Sequence, residues 1–191
     1  MRGKILAAVA AIAFGNTAAT HAAIINWTFT LGPEVVGATG SGSATAWFDD
    51  ASNVFSYDVT FAGLSGLTTV AHFHCCTAIP GTSTVGVAVN VPTLIGFPVG
   101  VQAGSFAGSY DLDDIASFNP AFVTNFGGGT AAGAAAAFVN GLNSGTAYLN
   151  IHSSTFGAGE IRDFARSAPE PGTLALLALG LAGMGIARRR R

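Results

Sequence analysis

The sequence predicts a mainly β protein, an antiparallel sandwich or barrel with one short helix, set between two apolar ends. Three observations point there. Between residues 24 and 168, short runs alternate apolar and polar side chains with a period of two, the pattern of strands with one dry and one wet face. Glycine, asparagine and proline interrupt these runs, as turns do. The chain has 191 residues, 9% of them charged, and 26 glycines without a triplet period, which limits it to one packed core and excludes collagen and charged disordered chains.

The elements follow in order. Arg2 and Lys4 precede an apolar run over residues 5–14 and a small-residue stretch over 18–23. This is the layout of a secretory signal peptide, residues 1–23, cleaved after Ala22 or Ala23 and read by the Sec export machinery. Strands are expected at residues 24–30, 43–48, 54–61, 69–75, 85–91, 104–112, 146–152 and 160–164. The third is the clearest: Phe55, Tyr57, Val59 and Phe61 share one face while Ser56, Asp58 and Thr60 share the other. Residues 131–142 break the period. They are alanine-rich, with Phe138, Val139 and Leu142 at helical spacing and Gly145 beyond as a stop, so the one helix is placed there. Asn119-Pro120 and Gly127-Gly128-Gly129 mark a long loop before it. After the body come Pro169-Glu170-Pro171, an apolar stretch over residues 172–187, and Arg188, Arg189, Arg190 and Arg191. Sixteen apolar residues make a helix of roughly 24 Å, a short transmembrane helix against a hydrocarbon core of roughly 30 Å. The arginines place its end in the cytoplasm and the body outside.

Charge narrows the function. Residues 24–168 hold two arginines, no lysine and nine carboxylates, a net charge of −7. A nucleic-acid binder needs a basic stripe to displace counterions, and nucleic acid is therefore excluded as a partner. The body carries no Gly-x-Ser-x-Gly elbow, no His-Glu-x-x-His and no phosphate-cradling glycine loop. No enzymatic activity is expected.

Chemistry concentrates instead in three histidines. His72-Phe73-His74 lies in a predicted strand, where the two-residue period puts both imidazoles on one face. His152 ends the run Tyr148-Leu149-Asn150-Ile151-His152, and strand pairing would bring it beside the first two. Three neutral imidazoles suit copper or zinc; the alternative is a hydrogen-bonded structural cluster. Cys75 and Cys76 are the only cysteines, in a chain bound for an oxidising compartment. A vicinal or intermolecular disulfide, buried thiols, and Cys76 as a fourth metal ligand all stand as readings at this point. Glu160 and Arg162, two apart on a predicted strand, are expected to form a structural ion pair with each other or with cross-strand partners.

Two family resemblances rest on these residues. The Pro169-Glu170-Pro171 triplet, the glycine-interrupted apolar stretch and the terminal arginines resemble the PEP-CTERM sorting signal over about residues 168–191. That resemblance implies a Gram-negative exporter that makes exopolysaccharide. The tail would be held transiently in the inner membrane until an exosortase cleaves near the triplet, releasing the protein to the cell surface or extracellular matrix. Ala71-His72-Phe73-His74, Tyr148-Leu149-Asn150-Ile151-His152 and Gly159-Glu160-Ile161-Arg162 resemble the three landmarks of the CHRD domain, over about residues 26–164. Cys75-Cys76-Thr77 replaces the glycine- and proline-containing loop common after the first landmark. This resemblance implies an immunoglobulin-like or superoxide-dismutase-like β-sandwich with no established catalytic activity. Together they imply three parts: a signal peptide at 1–23, a CHRD-like sandwich at 24–168 and a sorting signal at 169–191. The expected role is structural or binding, with exopolysaccharide as a partner, and an extracytoplasmic copper or zinc protein is the alternative.

Overall fold

The computed structural model describes residues 23–168. The signal peptide, apart from its last residue, and the sorting tail, with Pro169, Glu170, Pro171, the expected transmembrane helix and Arg188 to Arg191, lie outside the described residues. Among the described residues no helix is long and apolar enough to cross a membrane.

Among the described residues nine antiparallel strands form one curled sheet. They are β1 (Ile24–Pro33), β2 (Ser41–Asp49), β3 (Val54–Ala62), β4 (Thr68–His74), β5 (Val87–Val89), β6 (Gly104–Asp111), β7 (Tyr148–Ser153), β8 (Ile161–Phe164) and β9 (Arg166–Ser167). Their spatial order is β5-β4-β7-β8-β1-β2-β3-β6, with β9 also on β1. The expected alternation in β3 holds: Phe55, Tyr57, Val59 and Phe61 are all buried, while Asp58 and Thr60 are exposed.

A sandwich was expected, and the structure differs in that β1 joins the two halves into one continuous sheet. The cause lies in β1, which is ten residues long. Along one edge it pairs with β2 from Ile24↔Asp49 to Leu31↔Gly42. Along the other it meets β9 at Trp27 and Thr28, then β8 at Gly32 and Pro33. Between these contacts the backbones part, and the Asp163 carboxylate accepts from the Thr30 N–H at 2.7 Å. The sheet folds over along this line, and its halves meet across an aromatic core. Phe73 of β4 touches Phe29, Phe55 and Tyr57 of the opposite half at centroid distances of 5.9, 5.1 and 5.5 Å. The shape-dependent edge-to-face geometry of these pairs adds to their burial.

Among the described residues two α-helices, where one was expected in the body, close the structure. α2 (Ala131–Asn143) is the expected one, and its Phe138 seats on Phe55 at 5.0 Å. α1 (Pro120–Phe126) replaces part of the expected loop. Asn119 caps it by accepting from Ala121 N–H, and Pro120 stands at its first turn, where a missing N–H costs nothing.

Candidate metal centre

β4 ends on His72-Phe73-His74, and its alternation sends Phe73 into the core while His72 and His74 face the other way. β7 lies beside it, with Ala71 opposite Ile151 and His72 opposite Asn150, so Tyr148, Asn150 and His152 share the histidine face. The three rings sit 5.3 to 6.3 Å apart between centroids. One ligand nitrogen from each lies within 4.8 Å of those of the others. Donors to one zinc stand about 3.3–3.5 Å apart, so the rings need close by no more than about 1.5 Å to hold an ion.

The hydrogen bonds fix what these rings offer. His72 Nε2 meets Pro92 O at 2.7 Å, His74 Nδ1 meets Val85 O at 2.8 Å, and His152 Nδ1 meets Gly157 O at 2.9 Å. A carbonyl only accepts, so each of these nitrogens carries the proton. Burial pushes the His74 imidazole down to about 4 and holds His72 below its ordinary value, so both are neutral near pH 7. The remaining nitrogens, His72 Nδ1, His74 Nε2 and His152 Nε2, are buried and have no partner among the described residues. His72 and His74, each with its ring proton committed to a carbonyl, cannot donate to one another or to His152. A neutral ring anchored through its other nitrogen is also how metal-ligating histidines are oriented.

Around the cluster stand Tyr148 and Asn150, on the same strand as His152, and Arg162 of β8, with Glu34 just beyond the end of β1. Tyr148 stacks flat on His74 at 4.7 Å, and its hydroxyl donates to Val85 O, the carbonyl that also anchors His74. The Arg162 guanidinium lies 5.2 Å from the Tyr148 ring and pairs with Glu34 at 3.1 Å. Asn150, also buried, donates to the same Glu34 carboxylate. The two-residue period of 148, 150 and 152 is the signal that would have placed Tyr148 and Asn150 on this face. Nothing in the sequence pointed to Glu34, which arrives from the far end of β1.

Of the open cysteine readings the structure holds the vicinal disulfide and not the metal ligand, and of the two expected partnerships for Arg162 it holds a cross-strand carboxylate, Glu34, and not Glu160. Cys75 and Cys76 form a vicinal disulfide, so Cys76 has no thiolate to offer, and its sulfur lies 3.5 Å from Ala137 O of α2. β4 ends at His74, and the alternation that would carry Cys76 onto the histidine face ends with it. Glu160 does not pair with Arg162. Its own backbone faces Glu34, whose N–H donates to Glu160 O, and the Glu34 side chain takes the guanidinium. The Glu160 carboxylate turns instead to the Ser65 N–H at 2.5 Å.

The model of the CHRD domain matches residues 28–163. The chain belongs to the CHRD domain family. The match runs from β1 to β8, so the three histidines of this CHRD domain fall within it. A second model, the PEP-CTERM protein-sorting motif, matches residues 167–191. That motif marks the chain for export, processing by an exosortase and localisation at the surface. No curated protein and no solved structure matches the chain.

Proposed function

We propose that this CHRD domain is a non-enzymatic, extracytoplasmic metal-binding module, sorted to the cell surface or exopolysaccharide matrix and holding one copper or zinc ion on His72, His74 and His152. One observation carries the reading: three buried imidazole nitrogens without partners among the described residues, on rings whose other nitrogens are all anchored to backbone carbonyls. Each buried, unsatisfied polar atom costs about 1–3 kcal/mol, and a shared metal ion would satisfy all three together. Copper and zinc both accept imidazole donors.

The test is metal content by elemental mass spectrometry. The protein is purified without a histidine tag from the extracytoplasmic fraction of its expression host, beside His72→Ala and His152→Ala variants. Near-stoichiometric copper or zinc, lost in both variants, is expected. Absence of metal after loading with both ions overturns the reading.

A further inference from the structure

Resting on that metal-binding reading, we infer that the centre is built for monovalent copper, Cu(I), in preference to Cu(II) or Zn(II). The argument is one of charge. The group of potential donors consists of three imidazoles and contains no carboxylate and no thiolate among the described residues. The carboxylate that reaches this face, Glu34, is held by the Arg162 guanidinium and the Asn150 amide. The nearby sulfurs are tied in the Cys75–Cys76 disulfide. A bound ion would therefore keep its full charge.

Burial makes that charge expensive. His72, His74 and His152 are 8, 9 and 9% exposed. The cost of moving an ion from water into a low-dielectric site grows with the square of its charge, so a divalent ion meets a penalty about four times that of a monovalent one. The Arg162 guanidinium, stacked on the Tyr148 ring that itself stacks on His74, offers no compensating negative charge. Ligand number points the same way. Three neutral nitrogens complete a trigonal Cu(I) shell, whereas zinc on three imidazoles needs water or another group as a fourth ligand and Cu(II) needs one or more beyond the three.

The experiment compares three affinities on the same untagged protein from the extracytoplasmic fraction. Cu(I) is kept reduced with ascorbate under anaerobic conditions and competed with bicinchoninate; Cu(II) and Zn(II) are competed with nitrilotriacetate. The Cu(I) dissociation constant is expected to lie below both others by about 100-fold or more. His152→Asp, which places a carboxylate in the donor set, should weaken Cu(I) by about 100-fold and Zn(II) by less than about tenfold, because the anion offsets divalent charge. General damage to the site would weaken all ions alike, and such a result would overturn the inference. If the variant fails to fold, the wild-type ratio decides alone. Zn(II) or Cu(II) bound as tightly as Cu(I) would sink the monovalent assignment and leave the metal site standing. No binding of any of the three ions would remove the metal site itself.

Discussion

A neutral imidazole carries one proton, and in each of the three histidines its place is set by a loop carbonyl. Tyr148 reinforces one of these choices, since its hydroxyl and His74 Nδ1 share Val85 O while the rings stack. Removing the hydroxyl with Tyr148→Phe keeps the stack but loosens the carbonyl that orients His74. Metal affinity should fall about tenfold with stoichiometry unchanged, as other outer contacts of metal ligands do, measurable by competition titration. Glu160 offers a second test at this scale. Burial pushes its carboxyl up, but the hydrogen bond from the Ser65 N–H and the donors of Ser153 and Gly66 nearby outweigh that and hold it below its ordinary 4.5. Between its folded and unfolded values the unfolded chain binds more protons. Its contribution is therefore present above about pH 4.5 and lost as pH falls through the folded value. Glu160→Gln should flatten the acid limb of a stability-versus-pH curve measured by urea unfolding. An unchanged limb would mean that this carboxylate is not the group responsible. The histidines were legible in the sequence because a two-residue period is enough to set a shared face. Glu34, the partner of both Arg162 and Asn150, was not, because its place depends on how β1 meets β8.

At the scale of elements, strands read well and their ends read poorly. β3 could be placed from alternation alone because both its neighbours are long strands that keep its inner face dry. β4 reads as reaching Cys75 by pattern, yet it stops at His74, and that single residue decides the fate of Cys76. α1 is hidden in its sequence because Asn-Pro marks a turn as readily as a helix start. α2 contains a glycine whose role only packing reveals. A Cβ on Gly141 would overlap the Cys75 sulfur and come within 2.8 Å of the Cys76 sulfur. In an exposed helix, glycine to alanine stabilises by about 1 kcal/mol. Here Gly141→Ala should instead destabilise by about 1–3 kcal/mol through overpacking against the disulfide, read as a lowered urea midpoint with unchanged slope. A gain in stability would show that α2 does not press on that bond.

The whole molecule ties the metal ligands to the fold. His72, His74 and His152 stand on neighbouring strands of one half of the sheet, but their anchoring carbonyls, Pro92, Val85 and Gly157, belong to segments outside those strands. Phe73, between two of the ligands, is the side chain through which this half packs on the other. Unfolding either the loops or the interface between the halves must therefore break the site. An ion that binds only the folded chain stabilises it by mass action, about 2.7 kcal/mol at a free ion concentration 100 times the dissociation constant. The expected result is a melting temperature that climbs with metal concentration in the native protein and stays flat in His152→Ala. Calorimetry should also show one transition in both, because the aromatic interface couples the two halves into one cooperative unit. Two separate transitions, with metal moving just one of them, would mean that the halves fold independently and that the site reports on its own half alone.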